Sequence, residues 1–296
     1  MIKNRKLMVT LLAMVAVIGM ASACTPPAAD GALPTTNWSF KGTTVRVDDA
    51  QDAVDVPLIG CVVNCKDEPY LLNVGFRVKI GQPGSAQAWA VNNRTSAPSD
   101  VGAGSTVSVG AAGGPVIFNG VAPVDILDLA NTNNHLEVMG TYVWASEEDQ
   151  IGNGLAADSL ASLLEDALNS TLATADLGNL DANFILDLVF SNIGNALGIA
   201  VQNIPLFGLG DDVMGGALYI GIGAYGTLGS LLDTAIGETP FPAVDIPILD
   251  IPPSIDGGGF YTMTGSKSWT RSFHGGCGLL GGNCGQHTWT MVSGPA

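Results

Sequence analysis

Residues 70–80, Tyr-Leu-Leu-Asn-Val-Gly-Phe-Arg-Val-Lys-Ile, decide the fold class of this chain. Every even-numbered position in this stretch is apolar, and most odd-numbered positions are polar or glycine. This period of two is typical of an antiparallel strand that turns one face to a core and the other to solvent. Residues 136–144 repeat the pattern, so the segment 37–145 is predicted to be a β-sandwich. Shorter strands are predicted over 86–91, 105–109 and 116–119.

The next segment, 151–240, changes to helical periodicity. Its first stretch places apolar side chains at i, i+3, i+4 and i+7, which predicts an amphipathic helix. Either Asp158 or Asn153 is suited to cap the amino end of that helix. We therefore expect a three-helix insertion in the sandwich. The three helices are predicted over 158–172, 181–203 and 211–237.

The C-terminal region is predicted to return the chain to the sheet. Proline recurs at every fifth residue within 241–257, which excludes a helix and predicts an extended strap. Residues 260–292 are predicted to form a β-hairpin in which Cys277 opposes Cys284 and His274 opposes His287. The fold class is therefore α+β, an antiparallel β-sandwich (37–145 with 260–292) that carries a helical insertion. The predicted boundaries are 1–23 signal peptide, 24–36 tether, 37–150 first part of the sandwich, 151–240 insertion, 241–257 strap and 258–296 hairpin.

The amino terminus predicts export from the cytoplasm. A basic start precedes the apolar segment 7–20, and Ala21-Ser22-Ala23 satisfies the small-x-small rule for signal-peptide cleavage. Cleavage there by ordinary signal peptidase would release a secreted protein. The same residues followed by Cys24 resemble the bacterial lipobox, although Ala21 stands where that motif prefers leucine. The resemblance implies lipidation of Cys24 and an envelope lipoprotein tethered to the membrane by its lipid.

The charge of the chain is strongly negative. It contains 27 acidic and 11 basic residues, with a formal net charge of −16. Between Arg94 and Lys267 there are 20 acidic residues and no basic one. Such a field repels nucleic acid, so no nucleic-acid partner is expected. It suits either divalent cations or the solubility of an apolar exported protein.

An acidic cluster follows the first predicted strand and precedes the strand at Tyr70. If those two strands are antiparallel neighbours, all of its carboxylates lie at one end of the sandwich. Several loops would then supply the six to eight oxygens that calcium prefers, although the spacing is not that of an EF-hand. The alternative is an acidic loop in solvent. The candidate calcium ligands are Asp48, Asp49, Asp52, Asp55, Asp67 and Glu68.

The four cysteines after Cys24 are predicted to form two disulfides, Cys61–Cys65 and Cys277–Cys284. The alternative for the second pair is a zinc site with His274 and His287. An oxidising compartment favours the disulfides, and His274 would point away from Cys277 in a flat hairpin.

Lys267, Trp269 and Arg271 alternate along the predicted C-terminal strand and therefore share one face. Two cations beside an aromatic ring could stack a sugar or hold an anion. The alternative is an ordinary sheet face on which long side chains cover the ring. These residues are the candidate ligand-binding site.

No catalytic motif is found in a suitable context, neither a nucleophile elbow nor a phosphate-binding loop nor a zinc-protease helix. The expected function is therefore non-catalytic binding of an unknown envelope or extracellular ligand, or a structural role in the envelope, with calcium as the candidate cofactor. One alternative is a hydrolase that uses a histidine or a pair of carboxylates, although no residue is singled out for it. The other alternative is a membrane-active protein. In that case 184–204 and 213–236 would insert as apolar helices, since 213–232 contains no charged residue.

Overall fold

The computed structural model of this protein describes residues 33–51, 54–56, 60–63, 66–148, 154–202, 213–238, 241, 255–275 and 284–296. The signal peptide and residues 24–32 of the tether, including Cys24, lie outside these ranges. The strands are β1 (Thr36–Gln51), β2 (Val54–Val56), β3 (Gly60–Val63), β4 (Lys66–Asp67), β5 (Pro69–Lys79), β6 (Gln87–Asn92), β7 (Val101–Gly102), β8 (Thr106–Ser108), β9 (Val116–Val121), β10 (Glu137–Glu147), β11 (Val213–Ile222), β12 (Ile255–Thr262), β13 (Lys267–His274) and β14 (Cys284–Pro295). The α-helices are α1 (Gly154–Ser170), α2 (Ala182–Gln202) and α3 (Gly226–Glu238).

Two five-stranded sheets form the sandwich, which confirms the predicted α+β class. The first sheet has the order β13-β14-β1-β8, with β9 also paired to β1. The second has the order β12-β11-β10-β5-β6. All neighbours are antiparallel except β11 and β12, which are parallel. β2 pairs with β3, and β4 pairs with β7, outside the two large sheets.

Aromatic side chains fill the space between the sheets. Phe40 of β1 packs on Tyr219 of β11 with ring centroids 4.8 Å apart, and Trp89 of β6 packs on Phe118 of β9 at 5.6 Å. Offset and edge-on ring pairs of this kind add to the free energy gained by burying apolar surface. The alternating apolar residues of the predicted strands therefore form the core that the sequence indicates.

The helices cover the outer face of the second sheet. α1 packs on β5 and β6, and α3 packs on β12. This second layer explains why β5 is buried almost throughout, where a solvent-facing polar side was expected. α1 begins at Gly154, so Asp158 lies inside the helix and the interpretation of Asp158 as its cap is wrong. Asp181 does cap α2, because its Oδ1 accepts the backbone N–H groups of Asn183 and Phe184.

The third predicted helix is wrong over its first half. Residues Val213–Ile222 form strand β11, which lies in the second sheet between β10 and β12. A central strand covered on both faces is a continuous apolar run, and a short run of this kind cannot be distinguished from a buried helix by periodicity. The glycines here disfavour a helix, and α3 begins only at Gly226. In its described residues, 154–202 and 213–238, the insertion therefore contains three α-helices and one strand.

The predicted C-terminal hairpin is also corrected. A turn at residues 263–266 divides it, so β12 joins the second sheet while β13 joins the first. In the β13–β14 pair Phe273 opposes His287 and His274 opposes Gln286, one residue away from the predicted register. The prediction derived its register from a direct opposition of Cys277 and Cys284. The extended pairing of β14 with β1 instead fixes β14 independently of that loop.

Candidate functional site

The predicted calcium ligands do not converge where the structure describes them. Asp48 lies 3.1 Å from Arg46 Nε and accepts a hydrogen bond from Thr288 Oγ1. Glu68 accepts the backbone N–H of Asp100. In the described part of the chain, no group of three or more His, Cys, Asp or Glu side chains is placed to hold a metal ion. The side chains of Asp52 and Asp55 lie outside the described residues, so calcium binding stays a prediction.

Asp67 is sealed inside the protein rather than exposed on a rim. Its Oδ2 lies 2.7 Å from Nε2 of His287, and both side chains are 0 % exposed. β4 and β14 supply the two residues, so this pair joins the first sheet to the segment that precedes β5. Breaking one partner of such a pair would leave a buried polar group without compensation. The Asp67–His287 pair therefore has a structural role.

The zinc alternative fails on geometry. His287 is buried, whereas His274 is exposed on the opposite face of the β13–β14 pair. Two histidines on opposite faces of a sheet cannot bind one ion. Cys65 and Cys277 lie outside the described residues, and Cys61 and Cys284 are described only as strand positions. The two disulfides therefore stay predictions.

The residues of the predicted C-terminal stripe face the second sheet. Trp269 packs on Tyr219 with ring centroids 4.9 Å apart and on Tyr261 at 5.8 Å. Burial raises the pKa of Tyr219 to about 12, and the positive charge of Arg271 only partly offsets this effect. All three residues of the stripe are half-buried. Arg271 faces Tyr219, and the end of the stripe that carries Lys267 and Trp269 is the open end.

The open end of the stripe lies in a cleft of about 270 Å³, here called the aromatic cleft. The Lys267 ammonium lies at this cleft, 3.5 Å from Asp233 Oδ1, and both side chains are about one-third exposed. Phe241 and Phe260 pack on each other with centroids 5.1 Å apart. The cleft is lined by Ile236, Phe241, Gly258, Gly259, Phe260, Lys267 and Trp269.

Glycines in β12 make room for this arrangement. A Cβ atom at Gly259 would lie 2.5 Å from Nε1 of Trp269, and one at Gly258 would lie 2.8 Å from the ring of Phe241. At Gly258 the backbone oxygen of Leu218 would be closer still, so a side chain at either position would displace the rings or the neighbouring strand. The glycine run therefore allows Trp269 and Phe241 to approach the sheet.

A second cleft, of about 330 Å³, opens at the far end of β5 and is here called the polar cleft. β5 and β10 are antiparallel neighbours, and their register places Glu137 directly opposite Lys79 and diagonal to Arg77. β9 ends beside them, where Arg77 donates a hydrogen bond of 2.6 Å to the backbone oxygen of Asn119. The side chains that give this cleft its chemistry are Arg77, Lys79, Gln82, Gln87, Asn119 and Glu137.

Glu137 lies at the bottom of the polar cleft and is buried. It is 1 % exposed, and its Oε1 accepts a hydrogen bond from Arg77 Nε, while Arg77 itself keeps 17 % of its side chain exposed. Oε2 of Glu137 is buried with no hydrogen-bond partner of good geometry among the described residues. Burial raises the pKa of Glu137, and the charges of Arg77 and Lys79 and the nearby backbone of Ala122 counteract part of this rise. Buried carboxylates with a displaced pKa beside a cleft are typical of functional sites.

No pattern in the sequence predicted the polar cleft. Arg77 and Lys79 stand in the strand that decides the fold class, where they were interpreted as its solvent face. Glu137 was not singled out, because only the register of β5 against β10 places it beside them. The one local signal was the presence of two cations two residues apart in a strongly acidic chain.

Helix α2 provides the one described segment, Ala182–Ala200, that is long and apolar enough to cross a membrane, with 33 % of it buried. Its apolar stripe, which includes Ile185, Val189 and Ile193, is buried, and α2 contacts α1 and α3. Asp187 and Asn195 lie on its exposed side. The buried stripe of α2 is thus covered by protein, whereas Phe184 and Ile199 are exposed.

Comparison with known proteins gives no relative from which a site could be transferred. No family model matches the chain, and no curated protein or solved structure is detectably similar to it.

Proposed function

We propose that this protein is an exported, non-catalytic binding protein, held at the cell envelope by a lipid on Cys24, and that the aromatic cleft binds its ligand. The observation that carries the proposal is the position of Lys267 and Trp269 beside Phe260 in one open cleft. An apolar concave surface with a few polar groups at its edge is the usual form of a small-molecule site. The export signal and the lipobox resemblance support the location.

The chemistry of the aromatic cleft favours a flat apolar ligand that carries a hydrogen-bond acceptor. Phe241, Phe260 and Trp269 offer ring faces and edges, against which aromatic rings pack favourably. Lys267 donates up to three hydrogen bonds, and its pairing with Asp233 at 3.5 Å leaves donors for a ligand. Lys267 would therefore bind a carboxylate of the ligand at the edge of the cleft, while the ring of the ligand is buried in the cleft.

Isothermal titration calorimetry with benzoate tests this proposal. We expect the mature protein, with Cys24 replaced by Ser, to bind benzoate more tightly than either acetate or benzyl alcohol. Lys267→Met should weaken benzoate binding about tenfold, because it removes the donor at the cleft edge. Lys41→Met is the matched control, since Lys41 is an exposed cation on β1 that does not line the cleft. Equal affinity for acetate and benzoate, or an equal loss in both variants, would exclude the aromatic cleft as the site.

The envelope location has its own test. The full chain, expressed in a bacterium, should incorporate labelled palmitate and partition into the detergent phase of Triton X-114. Cys24→Ser should lose both properties and remain soluble outside the cytoplasm. If both forms are exported and neither is labelled, the protein is secreted free and the lipid anchor is wrong.

A further inference from the structure

We propose that the polar cleft is a second binding site, and that it takes a sugar acid, a small molecule that carries one carboxylate and several hydroxyl groups. The inference does not depend on the aromatic cleft, because the two clefts share no lining residue.

The charge of the polar cleft favours an anionic ligand. Glu137 pairs with Arg77, which leaves Lys79 as the uncompensated charge of the cleft. Lys79 has no ion-pair partner among the residues that the structure describes, whereas the chain as a whole carries a net charge of −16. Two cations, Arg77 and Lys79, and one carboxylate, Glu137, leave the cleft with a net positive charge, which repels metal ions and attracts an anionic group. The cleft therefore selects an anion, in contrast to the rest of the surface.

The neutral side chains around Lys79 favour a ligand that carries hydroxyl groups. Gln82, Gln87 and Asn119 each present a carboxamide at the cleft. A carboxamide both donates and accepts hydrogen bonds, and so does a hydroxyl group. An anion without a hydroxyl group, such as sulfate, only accepts hydrogen bonds, so it would leave the acceptor oxygens of these carboxamides unused. The combination favours a ligand with several hydroxyl groups beside its negative charge.

The residues at the bottom of the polar cleft, Arg77 and Glu137, are held in place before a ligand binds. Arg77 is held by Glu137 on one side and by the backbone oxygen of Asn119 on the other, so its position is fixed before any ligand arrives. The Glu137 carboxylate is only 1 % exposed, so it holds Arg77 in place and leaves the ligand contacts to Lys79 and the exposed side chains of the cleft. The cleft volume of about 330 Å³ suits a single sugar ring.

The probe is glucuronate, with glucose and acetate as partial ligands. Glucose has the same ring without the carboxylate, and acetate has the carboxylate without the ring. We expect calorimetry or ligand-detected NMR to show binding of glucuronate at least tenfold tighter than that of either partial ligand. Lys79→Met should weaken glucuronate binding at least tenfold, and Gln87→Leu should weaken it several-fold.

Two controls keep the test independent of folding. Lys41→Met removes the same charge from an exposed position of β1 that does not line the cleft, and it should leave glucuronate binding unchanged. Lys267→Met should also leave it unchanged, so failure of the aromatic cleft and failure of the polar cleft are distinguishable. No binding of glucuronate, equal binding of acetate or inorganic phosphate, or an equal loss in Lys41→Met would each overturn the proposal.

Discussion

The aromatic cleft takes Phe260, Lys267 and Trp269 from two strands that follow each other in the chain, whereas the polar cleft combines Arg77 with Asn119 and Glu137 from strands far apart in sequence. Close packing of Phe241 and Trp269 against glycines shapes the aromatic cleft. The ion pair between Arg77 and the buried Glu137 forms the bottom of the polar cleft. The two sites should therefore respond differently to substitution, because packing defects relax locally whereas an unpaired buried charge cannot.

The largest effect is expected when the ion pair of the polar cleft is broken. Arg77→Met leaves the buried Glu137 carboxylate without its partner, which should lower the free energy of unfolding by about 3–5 kcal/mol at neutral pH. Lys267→Met, which breaks the more exposed pair with Asp233, should cost at most about 1 kcal/mol. Urea denaturation measures both.

The double variant Arg77→Met/Glu137→Leu is the control for this prediction. It removes both charges, so it should recover much of the stability that the single variant loses. A loss of less than about 1 kcal/mol in Arg77→Met would mean that Glu137 does not depend on Arg77, and the contrast between the two clefts would disappear.

A packing defect in the aromatic cleft should cost less. Gly259→Ala places a methyl group 2.5 Å from Trp269, so the indole must move and the free energy of unfolding should fall by about 1–3 kcal/mol. The fluorescence of Trp269 should change as well. Gly194→Ala in α2 is the matched control, because open space surrounds that position. Alanine favours a helix over glycine, so this variant should gain up to about 1 kcal/mol. Equal effects of the two substitutions would contradict the close approach of Trp269.

The contrast between the clefts also explains what the sequence could predict. Lys267 and Trp269 are two residues apart on one strand, so simple alternation is enough to place them on one face. Glu137 reaches Arg77 only through the register of β5 and β10, and no local pattern carries that information. The strands at 70–80 and 136–144 and the helices at 158–172 and 181–203 were predictable because each has a strong period of its own.

The errors of the sequence-based predictions have the same origin. Val213–Ile222 is apolar on every side, so its periodicity does not distinguish a central strand from a buried helix, and its neighbours β10 and β12 decide. The alternation at 260–272 continues through the turn at 263–266, which hid the passage from one sheet to the other. Local periodicity fixes the kind of element, whereas tertiary pairing determines the sheet it joins.

Benzoate and glucuronate should each depend on only one of the two clefts. Lys79→Met should weaken glucuronate about tenfold, or about 1.4 kcal/mol, and leave benzoate unchanged. Lys267→Met should do the reverse. Calorimetry of both ligands against both variants checks the pattern. Loss of both ligands in either variant would indicate that the two clefts are coupled rather than independent.

The smallest expected effect is a difference in the pH dependence of stability, and it originates from Glu137 at the bottom of the polar cleft. Burial raises the pKa of Glu137 above its ordinary value of 4.5, although Arg77 and Lys79 oppose this rise. Between the ordinary and the raised pKa the folded protein therefore binds more protons than the unfolded chain. The free energy of unfolding must then fall as the pH rises through this window. Glu137→Gln removes the titrating group, so the stability of the wild type relative to Glu137→Gln should decrease as the pH rises above the ordinary pKa of 4.5. Urea denaturation of the two proteins across this range measures the difference, and a relative stability that increases with pH would mean that pairing with Arg77 outweighs burial.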